Sequence, residues 1–239
     1  MYELNRQKEI PVVRFKRLSS TSDYAKERQA DGKEMFVVAQ TQTKGRGREG
    51  RTFSSKRGGL YMSWLCFPQD LLAKEGFFLV SKMAVAVCKT LEDYGLSPTI
   101  KWPNDVLIDG KKICGILTEN LLMGNRIYSA IIGVGLNVYN RLERELRPIA
   151  TTLRQESGKK IPVAEVENKL LEYIKSPFEK EEYYARLGCL GEVEIIENGV
   201  RSSVIAEGVD DEGLLVVVKE GKREKKSSAE ISLRMKGKA

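Results

Sequence analysis

Apolar residues recur along this chain in two periods. Phe77, Val80, Ala84, Val87, Cys88, Leu91 and Tyr94 fall on one helical face, and Gly95 follows where a C-terminal cap belongs. This predicts a helix whose stripe is core. Val163, Val166, Leu170, Leu171 and Ile174 predict another, with Pro162 in its first turn. A shorter helical stretch is expected at 178–186. Ser20-Thr21-Ser22-Asp23 offers N-cap residues for a helix reaching about Arg28. Runs at 12–15, 35–40, 59–67, 99–102, 113–120 and 127–134 are rich in β-branched, aromatic and aliphatic residues and predict strands. Pro68 ends the third run, and Asp109-Gly110 marks a two-residue hairpin turn.

Beyond Gly188 the texture changes. Short alternating runs at 193–196, 200–207, 214–219 and 230–233 lie among Gly191, Gly199, Gly208, Gly213 and Gly221, which suggests a small β-barrel. The expected architecture is therefore α+β: a mixed-sheet domain over 1–186 and a small β-barrel over 187–239.

Composition narrows the chemistry. The 239 residues are 41% hydrophobic, enough for one medium core and a small appendage. No apolar run approaches the roughly 18 residues that span a membrane, and the first six residues lack the apolar centre of a signal peptide. A cytoplasmic protein without membrane contact is the default expectation. Cys66, Cys88, Cys114 and Cys189 are scattered among apolar neighbours without a C-x-x-C pair, so they are expected as small buried hydrophobes. Histidine is absent, which excludes Ser-His-Asp and Cys-His catalysis and any His-ligated metal. Chemistry must rest on Lys, Arg, Asp, Asn and backbone N–H groups.

The net charge of +7 suits an anionic partner. One basic concentration (Lys44, Arg46, Arg48, Arg51, Lys56, Arg57) is embedded in glycine; the other, from Lys219 to Lys238, has no aromatic interleaving. Only the first has the form of a site. In Lys44-Gly45-Arg46-Gly47-Arg48-Glu49-Gly50-Arg51, glycines let the backbone approach a ligand while arginines supply forked donors for carboxylate or phosphate. Like-charge repulsion and glycine entropy predict a loop that stays mobile until an anion arrives. The spacing is neither a P-loop nor a dinucleotide fingerprint. The same composition also fits an exposed Arg-Gly loop or a nonspecific RNA-binding patch.

A second constellation is Lys101-Trp102-Pro103-Asn104-Asp105, followed by Lys112 at the start of a strand. Proline bends the chain and presents Asn104 and Asp105 together, and an asparagine amide can read an adenine edge. Alone this is equally an ordinary turn. In Gly133-Val134-Gly135-Leu136-Asn137, alternate glycines bare one face of a strand for a ligand ring or a packed helix.

Together with Ser20-Thr21-Ser22, Gln42 and Gly59-Leu60-Tyr61-Met62-Ser63, these motifs resemble, in order and spacing, the biotin–protein ligases; residues 230–234 resemble the end of their C-terminal barrel. The resemblance covers nearly the whole chain. It implies a catalytic domain of the biotin/lipoate ligase type with an SH3-like barrel, and a reaction that uses biotin as substrate with ATP and Mg²⁺ as co-substrates. Biotinoyl-AMP forms with loss of pyrophosphate, and the acyl group passes to a lysine of a biotin carboxyl carrier protein.

It also implies roles. Arg48, Lys112 and Asp105 take the catalytic places, Asp105 as proton acceptor from the carrier lysine. Biotin contacts fall to Ser20, Thr21, Ser22, Gln42, Gly45, Arg46, Gly47, Arg48, Tyr61, Ser63, Lys112, Gly115 and Gly133. ATP contacts fall to Arg48, Arg51, Trp102, Asn104, Asp105, Lys112, Asn137, Ala150 and Thr152. No residue is assigned to a metal. Ser22 stands where the family often has asparagine, and Ala150 is small where some relatives stack an aromatic on adenine. The residues before Val12 leave no room for the winged-helix DNA-binding domain of repressor members, so a stand-alone ligase without DNA binding is expected. A homodimer is left open, and the alternative activity is lipoate–protein ligation.

Overall fold

The computed structural model describes residues 9–229 and 231–235. Glu230, at the start of the last expected strand, lies outside them, as do Lys236, Lys238 and the first six residues.

The chain opens with β1 (Val12–Phe15), α1 (Thr21–Glu27), β2 (Met35–Ala39) and β3 (Leu60–Cys66). Then come α2 (Phe77–Glu92), β4 (Thr99–Lys101), β5 (Asp105–Ile108), β6 (Lys111–Met123) and β7 (Arg126–Leu136). These strands form one seven-stranded sheet in the order β1-β2-β3-β7-β6-β5-β4. The β1–β2 pair is parallel and the other pairs are antiparallel. The mixed sheet and its helices are those of an α+β fold. Among the described residues no helix is long and apolar enough to cross a membrane.

The strand period of two separates the sheet's faces. Phe36, Val38, Leu60, Met62, Trp64, Cys114, Ile116, Ile132 and Val134 face the main core, against α2 and then α4 (Val163–Lys175). Lying between the sheet and α4, α2 is buried on nearly every side from Ser81 to Cys88, wider than the single stripe expected. The opposite face carries Val37, Leu65 and Ile131 under α1, and beside them small residues: Ser63, Gly115, Gly133 and Gly135. The uncovered stretch of this face is where the cavity described below lies.

Local chemistry sets the turns. Asp109 and Gly110 have φ of 47° and 77°, the pair of positive values that a tight hairpin turn requires. Ser20 caps α1 by accepting from Asp23 N at 3.2 Å. Two short helices follow the sheet: α3 (Leu153–Ser157), which the apolar pattern did not predict, and α5 (Lys180–Tyr184), shorter than expected.

A second sheet of five antiparallel strands has its own apolar core. Its strands are β8 (Gly191–Glu197), β9 (Val200–Val209), β10 (Leu215–Lys219), β11 (Lys222–Lys226) and β12 (Ile231–Met235), ordered β11-β10-β9-β8-β12. The basic run Lys222–Lys226 is thus an edge strand rather than a free tail. Three of its four cations are met by acids: Arg223 by Glu207, Lys225 by Asp210, and Lys226 by Glu197 and Glu224. Charge on an edge strand also discourages sheet-to-sheet association.

Candidate active site

Strand register builds the floor. Tyr61 pairs with Gly135, Gly135 with Gly115 and Gly115 with Asp105, giving one row across four strands. Two residues along, about 7 Å away at 3.4 Å per residue, Ser63, Gly133 and Leu117 form a second row. Bare glycines in both rows leave a cavity of about 200 Å³. The loop from Gln42 to Ser55 folds over it.

At the second row the lining is a chain of neutral hydrogen bonds. Gln42 Oε1 accepts from Thr21 N (2.8 Å) and Thr21 Oγ1 (3.1 Å), while Gln42 Nε2 donates to Ser55 Oγ at 2.8 Å. Ser63 Oγ donates to Thr21 Oγ1 (2.8 Å) and shares a hydrogen bond with Ser22 Oγ (3.0 Å). At the first row the lining is ionic. Lys112 Nζ lies 2.6 Å from Asp105 Oδ1. Arg48 Nη1 donates to Asn104 Oδ1 at 3.3 Å, and Nη2 donates to the Ser228 carbonyl of the second sheet. Asn104 Nδ2 donates in turn to the Ile116 carbonyl. The cavity thus has one hydroxyl-rich end, bordered by Arg46 with its carboxylate partners, and one end where Arg48 and Lys112 stand with Asp105, joined by a glycine floor.

The loop's arginine charges are paired within the fold. Each of its arginines has an internal partner: Arg46 has Glu119 and Asp23, Arg48 has Asn104, Ser228 and, at 3.7 Å, Glu49, and Arg51 has Glu49 at 2.7 Å. Glu49 and Gly50 take φ of 55° and 72°, making the sharp corner between Arg48 and Arg51.

Of the residues singled out from sequence, the cavity is lined by Ser20, Thr21, Ser22, Gln42, Arg46, Gly47, Arg48, Arg51, Asn104, Asp105, Lys112, Gly115 and Gly133. Others stand behind it. Gly45 admits no Cβ, which would meet Phe53 O at 2.4 Å and Ser55 Oγ at 2.5 Å. Ser63 is fully buried under Thr21 and Ser22. The buried Tyr61 hydroxyl donates to Lys56 O at 2.6 Å, and burial raises its pKa above the usual phenol range. Asn137 and Ala150 flank the backbone of Lys112: Asn137 N donates to Ile113 O, and Lys112 forms a bridge with Ala150. Thr152 caps α3 by accepting from Gln155 N.

Trp102 is placed elsewhere. Its indole is 2% exposed within the second sheet's core, and Nε1 donates to Gly213 O at 3.0 Å. It ties the Asn104-Asp105 turn to the second sheet and does not line the cavity.

Phe53 was not singled out from sequence. Its ring lies so close over the floor that a Cβ on Gly135 would meet it at 2.5 Å. It also packs edge-on to Tyr61, with centroids 6.4 Å apart. A lone aromatic ending a polar, glycine-rich loop was the available signal.

The four cysteines are buried and unpaired, as expected. Burial pushes the Cys88 thiol up to about 12 and raises the other three. Among the described residues no cluster of three or more His, Cys, Asp or Glu side chains is arranged to hold a metal.

The site is thus a glycine-floored sheet face covered by a basic loop, with a second antiparallel sheet beside it. Residues 14–137 match the biotin/lipoate A/B protein ligase family, and residues 192–234 match the biotin protein ligase C terminal domain. The chain belongs to this family.

It is similar to the bifunctional ligase/repressor BirA of Bacillus subtilis (strain 168), with 37% identity over 218 residues, 83% of this chain. The match spans 66% of that relative, just under two thirds of its length. The biotin--[acetyl-CoA-carboxylase] ligase of Paracoccus denitrificans is 29% identical over 205 residues, covering 76% of this chain and 83% of that protein. In structure the chain is similar to the biotin protein ligase of Aquifex aeolicus in complex with biotin and ATP. The TM-score is 0.78 at 30% identity, covering 95% of this chain and 99% of the other.

Proposed function

We propose that this protein is a biotin–protein ligase that activates biotin with ATP and transfers it to a lysine of a biotin carboxyl carrier protein. The observation that carries the reading is the polarity of the cavity, with a hydroxyl-rich end, a glycine floor and an end that presents Arg48 and the Lys112–Asp105 pair. Biotin has the same sequence of groups: a ureido that donates and accepts, an apolar bicycle and chain, and a carboxylate.

In the first step a biotin carboxylate oxygen attacks the α-phosphorus of ATP. The bond to the bridging oxygen breaks and pyrophosphate leaves, giving the mixed anhydride. Two anions must meet, so Arg48 and Lys112 offset their repulsion and stabilise charge on the phosphoryl oxygens. Each would exchange an internal partner, Asn104 and Ser228 for Arg48 and Asp105 for Lys112, for the substrate. Once Lys112 turns to the phosphate, the Asp105 carboxylate is free to accept a proton. In the second step the carrier lysine nitrogen attacks the acyl carbon, AMP leaves, and Asp105 takes the proton from that nitrogen. Mg²⁺ arrives with ATP, held mainly by its phosphates. Asn104, Arg51 and the strip from Asn137 to Thr152 beside Lys112 are the nucleotide side.

The test is incubation with ATP, Mg²⁺, biotin and an apo carrier domain, scored by mass for one biotinoyl group on one lysine. A parallel arm offers lipoate and its carrier, because the family includes lipoate ligases. Modification in the lipoate arm alone, or in neither arm with a carrier that a known ligase modifies, overturns the reading.

A further inference from the structure

The basic loop carries two arginines that line the cavity, and their surroundings differ. Arg48 is at the cationic end, with Asn104 and a carbonyl. Arg46 turns the other way. Its Nη1 and Nη2 donate to the two carboxylate oxygens of Glu119, forming a fork, and Nη2 is also 3.0 Å from Asp23 Oδ1. Its Nε is buried with no hydrogen-bond partner among the described residues, and Glu119 Oε1 also lies 4.0 Å from Lys26 Nζ. Glu119 lies on β6 two residues beyond Leu117, on the cavity face, and pairs with Ile131. Asp23 is in the first turn of α1. Neither acid lines the cavity.

We propose that Glu119 and Asp23 are positioning residues that latch Arg46 and so hold the glycine-rich loop closed over the cavity. A charge-assisted fork fixes both distance and plane, which a lone ion pair does not. The anchor points divide the work: Arg46 holds the loop to β6 and α1, leaving Arg48 and Lys112 to meet anions. All three latch side chains are part-exposed, so screening by salt makes the clasp reversible. A loop that must admit one substrate and release a product requires that. The latch rests on the ligase reading for its purpose, which is to retain the acid and its reactive adenylate until the carrier arrives.

The test uses the full chain with Glu119→Gln, Asp23→Asn and the charge swap Arg46→Glu with Glu119→Arg. Amide hydrogen exchange across residues 44–53 in the ligand-free protein reads the latch directly. Glu119→Gln should accelerate it roughly tenfold, about the loss of one charge-assisted bond. Asp23→Asn should have a smaller effect, and the swap made together with Asp23→Asn, which removes the acid facing position 46, should recover part of the protection. Exchange in β3 should stay unchanged in all three, which separates loop opening from global destabilisation. With biotin, Glu119→Gln should raise the dissociation rate and KM while kcat at saturating biotin stays within about threefold. Wild-type exchange in Glu119→Gln, or a loosened loop with unchanged biotin dissociation, overturns the latch. A wild-type protein that binds no biotin sinks the ligase reading instead, and the exchange data alone then decide the latch.

Discussion

Gly135→Ala tests whether the cavity depends on its bare floor. The new Cβ would meet Phe53 Cε1 at 2.5 Å, Cζ at 2.6 Å and Cδ1 at 3.0 Å. The ring must retreat by about 1 Å to reach ordinary contact near 3.5–4 Å. Backbone conformation does not object: Gly135 has no positive φ, and alanine in a strand gains roughly 0.5–1 kcal/mol over glycine. Overpacking costs about 1–3 kcal/mol. Phe53 is half-buried on a loop, so displacing it is cheaper than opening the strand ladder. The cost should therefore fall on loop closure and leave global stability nearly intact. We expect the Tm to move by less than about 4 °C, under roughly 1 kcal/mol for a domain of this size. Biotin binding should weaken by about ten- to a hundredfold. Isothermal titration and calorimetric unfolding read the two quantities. Gly208→Ala is the control, since nothing lies within 4 Å of its Cβ; it should leave binding untouched. Biotin affinity within twofold of wild type in Gly135→Ala would refute the argument from the floor.

The cationic end gives two further predictions. Lys112→Ala should slow adenylate formation by about 10²–10³, the typical cost of one charge-stabilising donor. Arg48→Ala should do the same, both measured by pyrophosphate release under saturating biotin, and a loss below tenfold in either would remove that residue from the chemistry. Asp105→Asn should slow transfer from preformed biotinoyl-AMP to the carrier; unchanged transfer would dismiss it as the proton acceptor. Glu34 gives a pH prediction. Burial raises its carboxyl above 4.5, partly opposed by the Trp64 indole N–H that donates to it at 2.9 Å. A raised folded pKa contributes stability that is complete below the unfolded value and is lost as pH rises through the folded one. Glu34→Gln should therefore gain in Tm relative to wild type between about pH 4 and pH 7, and a constant difference across that range would contradict this.

The parts of the fold legible in sequence were those set by local rules. The stripe from Phe77 to Tyr94 became α2, and Asp109-Gly110 became a tight turn, because period and φ preference act over a few residues. β11 was hidden by its composition, since Lys222–Lys226 carries no apolar residue. Yet Glu220 and Gly221, with φ of 51° and 76°, repeat the Asp109-Gly110 geometry and were a usable signal. The site was legible where motifs carried it: Arg48, Asn104, Asp105 and Lys112 do converge. Phe53 and Glu119 were not, because their place depends on strand register and loop path rather than neighbouring sequence. The place of Trp102, outside the cavity lining, was hidden for the same reason. Its partners Cys189 and Gly213 belong to a sheet that forms far along the chain.

The internal pairing of the loop's charges also bears on how a chain without histidine can handle two anions in turn. Unpartnered cations around a small cavity would repel one another and keep the loop apart, so closing it would draw on substrate binding. Here every loop arginine already has a partner, and the partners differ in kind. Arg46 is clasped by two carboxylates and a substrate anion gains little by displacing them. Arg48 is held by an amide oxygen and a carbonyl, with the Glu49 carboxylate farther off at 3.7 Å, so a phosphate or carboxylate meets weaker competition there than at the Arg46 fork. Lys112 is intermediate, with one carboxylate at 2.6 Å. On the proposed reading, substrate charge would meet Arg48 first and Lys112 next, while Arg46 stays with its two carboxylates. On the same reading, turning Lys112 toward the phosphate of the first step removes the partner that occupies Asp105 Oδ1 and leaves that oxygen open for the second.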